Sequence, residues 1–95
     1  MATYHFTQSA FEALAKELDY FLMATDSKYR EHASSNKTGR INKIQSDLNK
    51  RSFVDRTLTE LKFYYHKGLY DGTKYKGDAQ FIIKQMEKLM TSFGS

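Results

Sequence analysis

A chain of 95 residues with 40% hydrophobic and 27% charged side chains is long enough for one modest core and too short for a second, and its apolar share argues against wholesale disorder. It has no cysteine, which excludes a disulfide framework and thiolate zinc sites, so packing alone must hold the fold. The formal charge of +4 is compatible with an anionic partner and does not require one.

Residues 1–8 read as an N-terminal arm. No basic region followed by an apolar run occurs there, so a secretory signal is not expected and an intracellular, cytoplasmic location is. Nowhere does the chain approach the roughly 18 apolar residues of a membrane span, and a soluble protein with no membrane partner is expected. Asn36-Lys37-Thr38 matches the glycosylation sequon, which without an export signal is read as coincidence.

The first periodic series is Phe11, Leu14, Leu18, Phe21, Leu22 and Thr25, one face of an amphipathic helix. Ser9 and Glu12 fit a capping box at its start, and the helix is expected to run to about His32. Residues 33–39 then form a polar connector. A second series, Ile41, Ile44 and Leu48, and a third, Val54, Leu58, Leu61 and Tyr65, are each correct for a helix. At about 100° per residue the two stripes point roughly 100° apart, so one straight helix cannot bury both in one groove. A bend or break near 49–52 resolves the conflict, with Ser52 capping a new start at Phe53.

Gly68 falls where a C-terminal cap belongs, Asp71-Gly72 marks a turn, and 68–77 reads as a connecting loop. Asp78 is the expected N-cap of the last helix. Its inward stripe is Ile82, Met86, Leu89 and Phe93, widened by Ala79, Ile83 and Met90. Met23, Met86 and Met90 are read as core fillers rather than an adaptable groove. The expected fold is a single all-α domain over 1–95: a small antiparallel bundle of three long helices, or four if the middle one breaks.

The charge is segregated. Residues 1–32 carry a net −2, residues 33–76 a net +6, and residues 77–95 balance. Arg40, Lys43, Lys50, Arg51 and Arg56 flank the second and third stripes, and Tyr64, Lys67, Tyr70, Lys74, Tyr75 and Lys76 alternate rings with cations in a turn-rich stretch. These eleven residues are the candidate partner-binding set: cations can neutralise phosphates and tyrosines can stack on bases. The ordinary reading is a solvated helix face with tyrosines laid on the core, and it weighs more, because no named nucleic-acid module matches. A helix-turn-helix over 40–66 is disfavoured. Its turn has no glycine, and Asp55 and Glu60 offset Arg56 and Lys62.

Catalytic and metal chemistry is not expected. His5, His32 and His66 have no second ligand at helical spacing, and Gly68, Gly72 and Gly77 are not followed by the Lys-Ser or Lys-Thr of a phosphate loop. Carboxylates such as Asp19 with Asp26, or Asp55 with Glu60, fall on faces read as solvated, and a small bundle is expected to leave little room for a substrate pocket. No cofactor is expected. The function that remains is a non-enzymatic binding protein, of adaptor or inhibitor type, occupying a protein partner's surface. The first alternative is a nucleic-acid- or nucleotide-binding accessory protein using 40–76. A third reading is a self-assembling structural subunit, since a core this small and rich in Phe and Tyr gains from shared burial. Compact and motif-free, the chain is similar in general look to accessory proteins of phages and mobile elements.

Overall fold

Short polar side chains, Thr7, Asp26 and Asn36, open the first three of the described helices, and Gly68 closes the fourth. The computed structural model of the protein describes residues 6–93, which form α1 (Gln8–Thr25), α2 (Ser27–His32), α3 (Lys37–Asp47), α4 (Arg51–His66) and α5 (Lys76–Phe93), with no strand among the described residues. The fold is the expected all-α bundle. The middle helix is broken, which gives four long helices, and α2 is an additional short one. Most of the N-terminal arm, including His5, lies outside the described residues.

Helix α1 begins two residues earlier than the Ser9–Glu12 box would place it. Thr7 has the extended backbone of an N-cap and its Oγ1 accepts the Ala10 N–H at 3.1 Å. The physical reason is a hydrophobic staple: Phe6, before the cap, meets Phe11, four positions into the helix, edge to face at 5.0 Å, and only a start at Gln8 brings those rings together. Glu12 accepts the Gln8 side-chain amide instead.

The expected run to His32 is interrupted. Asp26 is extended, at φ −115° and ψ 103°, and serves two helices. Its N–H closes α1 on the Leu22 carbonyl, and its Oδ1 accepts the Tyr29 N–H at 3.1 Å to open α2. After α2 the connector is shorter than the expected 33–39. Asn36 Oδ1 accepts the Gly39 N–H at 3.1 Å, so residues 37–39 form the first turn of α3.

The break between α3 and α4 occurs at the expected place, but its cap is not Ser52. Lys50 is the N-cap by backbone geometry, with no side-chain hydrogen bond, and its carbonyl accepts the N–H groups of Phe53 and Val54. Leu48 anchors the break at full burial, so Ile44 and Leu48 on one side and Val54 and Leu61 on the other all reach the core. Helix α4 ends in a Schellman motif: the Gly68 N–H bonds the Tyr65 carbonyl and the Leu69 N–H bonds the Tyr64 carbonyl. That closure requires the left-handed backbone Gly68 adopts at φ +82°, a conformation glycine takes without the steric cost of a Cβ. The following loop ends before Lys76, and Asp78 stands in the first turn of α5 rather than at its cap.

Packing follows the stripes. Helix α1 is the centre: it contacts α2, α3 and α5, and α5 in turn contacts α4. The order across the bundle is therefore α3, α1, α5, α4. The α4 and α5 pair is antiparallel, since Lys62 reaches Glu87 while Tyr65, further along α4, reaches Gln80, earlier on α5. Leu14, Ala15, Leu18 and Phe21 of α1 meet Ala79, Ile82, Met86 and Leu89 of α5 in one core that also takes Ile44, Leu48, Val54, Leu61 and Tyr70. Ile83, Met90 and Phe93 pack against it from the edge. Of the methionines, Met86 is fully buried, Met90 packs on the core, and Met23 is half-buried outside it.

Candidate functional site

One charged side chain lies inside this apolar core. Asp19 of α1, read from the sequence as a solvated carboxylate, is 1% exposed. Its Oδ1 accepts Arg40 Nε at 2.9 Å and the Tyr29 hydroxyl at 2.8 Å, and its Oδ2 accepts Arg40 Nη2 at 3.3 Å. A single carboxylate thus ties α1 to α2 and to α3. Burial alone would raise its pKa; the hydrogen bonds from Arg40 and Tyr29, together with the Arg40 charge, outweigh burial and hold the carboxyl below its ordinary range. The same contacts act on the partners. Burial first, then the hydrogen bond to the carboxylate, pushes the Tyr29 hydroxyl up, and the bond to Asp19 raises Arg40. Tyr29 therefore stays a donor and Asp19 an acceptor at neutral pH.

Beside this knot a groove of about 910 Å³ opens between α1, α2 and α3 on one side and α4 with the 68–70 turn on the other. Phe21, Leu22, Ile44 and Leu61 are among its apolar lining, with Phe53, Tyr64, Leu69 and Tyr70 toward α4. Its charged lining mixes signs: Lys28, Arg40 and Lys43 with Asp26, Asp47 and Glu60. The expectation of too little room for a pocket is thereby corrected. Separation of α3 from α4 at residues 48–50, and a short α2 that leans mainly on α1, leave space that a three-helix bundle would have filled. Tyr64 and Leu69, 42% and 58% exposed, stand open beside it.

The structure sorts the eleven candidate binding residues into groups. Arg40, Lys43, Tyr64 and Tyr70 line the groove and the other seven lie off its walls. Two do not have the surface role read for them. Arg40 is spent on Asp19, with its side chain 12% exposed. Tyr70 is buried against Phe21, ring centroids 5.1 Å apart, and burial pushes its hydroxyl pKa up. Three more cations have carboxylate partners within the fold: Lys43 and Lys50 share Asp47, at 3.3 and 3.5 Å, and Lys76 reaches Asp71 at 3.0 Å. Lys67 lies over the Phe63 ring and Lys74 over the Tyr75 ring, at 5.0 and 5.4 Å. Arg51 and Arg56 are exposed on α4; five residues apart, they point about 140° from each other around the helix. Asp55 and Glu60 are exposed, as expected of a solvated face.

Sequence reasoning passed over Asp19, Tyr29 and Leu69. A signal existed for the first: Asp19 stands four residues after Ala15 and next to Leu18, both fully buried, so the helical period already turned it inward. Leu69, in a turn, carried none. A second carboxyl contact joins α1 to the first turn of α5. Burial, with a hydrogen bond to Asp78 and its charge added, raises the Glu17 pKa. Among the described residues, no group of three or more His, Asp or Glu side chains gathers as metal ligands would, and no helix is long and apolar enough to cross a membrane. Comparison of the chain with protein-family models, with curated proteins and with solved structures finds no match.

Proposed function

We propose that this is a non-enzymatic helical binding protein that acts by occupying a protein partner's surface, with the groove beside α4 as its contact. The observation that carries the reading is the groove itself, with an apolar lining continuous with the core and flanked by the exposed Tyr64 and Leu69. Tyrosine and aliphatic side chains at the mouth of an apolar cleft are what a partner's side chain buries against, and a few such anchors supply most of an interface's energy. A protein is favoured over nucleic acid because Arg40, the covered cation of the set, is spent on Asp19, and Asp47 beside Lys43 and Lys50 and Asp71 beside Lys76 place negative charge where a phosphate backbone would run. The lysines laid over Phe63 and Tyr75 keep single-stranded nucleic acid as the second reading.

The deciding experiment is affinity capture from native lysate, with and without nuclease and at two salt concentrations, using wild type and Leu69→Arg. Under the protein reading the captured partner survives nuclease and salt and is lost with Leu69→Arg, while the variant keeps its helical circular dichroism. Capture abolished by nuclease, falling steeply with salt and lost when Lys50, Arg51, Lys74 and Lys76 are changed to Glu, would favour the nucleic-acid reading instead.

A further inference from the structure

We propose that α2 is a hinged flap that forms one wall of the groove, latched in place by the Tyr29 hydroxyl on Asp19. Helix α2 buries none of its six residues, and its substantial helix contact is with α1. The Tyr29 ring packs on the edge of the core, and side-chain hydrogen bonds add to that hold: Tyr29 to Asp19 at 2.8 Å, and Arg30 Nη1 to the Met23 carbonyl at 2.8 Å with a longer reach to the Ala24 carbonyl. Extended residues bound it on both sides, Asp26 before and Ala33 after, so a swing needs changes of dihedral angle at these two positions and withdrawal of the Tyr29 ring from the edge of the core. Ser27, Lys28, Tyr29 and His32 line the groove, and their displacement removes one of its walls.

The geometry of the carboxylate makes this motion cheap. Tyr29 and Arg40 Nε share Oδ1, and Arg40 Nη2 holds Oδ2. When the tyrosine leaves, both oxygens of Asp19 keep an arginine donor, so opening strands no bare buried charge, which would be the costly outcome. Arg40 also donates to the Ser34 carbonyl at 2.6 Å, fixing the connector that follows α2 while α2 itself turns. The released hydroxyl enters water. Asp19 thus has two unequal tasks: a permanent bond to α3 and a removable one to α2.

This inference rests on the groove reading for its purpose but is tested without a ligand, so groove binding can fail while the flap stands. The full chain has no cysteine. His32→Cys and Glu60→Cys, on facing walls of the groove, can therefore carry a nitroxide pair for distance measurement by pulsed electron paramagnetic resonance. The expected result is one dominant short distance in the latched protein. With Tyr29→Phe the ratio of long to short distances should rise about ten- to hundredfold, the worth of one hydrogen bond to a charged group. Arg30→Ala should move it in the same direction by a smaller factor. Distance distributions unchanged in both variants would overturn the flap. So would loss of amide exchange protection in α5 in step with α2, because that marks general loosening.

Discussion

Helices α5 and α2 both lean on α1, and they do so by opposite means. Helix α5 brings Ala79, Ile82, Met86 and Leu89, none more than 1% exposed, and its hold is area removed from water, spread over many atoms and without direction. Helix α2 fully buries none of its residues; the partly buried Tyr29 ring and a few hydrogen bonds of fixed geometry hold it. The first attachment is lost by degrees as volume is removed. The second depends on single atoms, which suits an element that must let go.

Removal of the polar knot should cost the fold more than any other single change to these attachments. Asp19→Ala removes a fully buried carboxylate that accepts from both Arg40 and Tyr29, and the expected loss is about 4 kcal/mol by urea denaturation. A loss under about 1 kcal/mol would mean that water already reaches the pair. The pH dependence has a definite sign. The Asp19 carboxyl is held below its ordinary value of 3.8 in the folded protein, so its stabilisation is complete above that value and disappears as pH falls through the lower folded one. Met86→Ala tests the apolar attachment: a fully buried side chain is cut back to a methyl, and the expected loss is about 3 kcal/mol, without any dependence on acid. A strongly acid-dependent penalty from Met86→Ala would show that the two attachments are not independent.

The smallest expected effect lies where α5 also has a polar contact with α1. The Glu17 pKa is raised above its ordinary 4.5, by burial first and then by Asp78. A carboxyl of that kind favours the fold while protonated, below 4.5, and the benefit is lost as pH rises through the raised folded value. Glu17→Gln should therefore raise the thermal midpoint slightly at pH 7 and leave it nearly unchanged at pH 4. A lowered midpoint at pH 7 would show that the ionised carboxylate has a favourable contact.

The stripes of α5 and of the middle segment were legible because burial there repeats with the helical period. The angular conflict between Ile44 with Leu48 and Val54 with Leu61 is enough to require the break at 49–52. The interruption at Asp26 was hidden by the same periodicity: Tyr29 follows Thr25 by four residues, so the inward series continues in phase across a helix end. What reveals the break is the ability of the aspartate side chain to cap a new start, a local competition that a stripe does not register. Arg40 and Tyr70 were read from the usual habits of their residue types, and tertiary contacts with Asp19 and Phe21 override those habits. The groove has no local signature at all. It exists because two connectors hold their helices apart.

The side-by-side placement of α1 and α5 has a kinetic consequence. These helices are the first and last of the five described, so forming their contact must close a loop containing the other three, and closure over so long a separation costs entropy before any contact repays it. During synthesis α1 emerges with one side of its apolar face uncovered until the final helix arrives. Between those two moments Leu14, Leu18 and Phe21 form a sticky strip on a nascent polypeptide, and that interval is when a chaperone has something to hold.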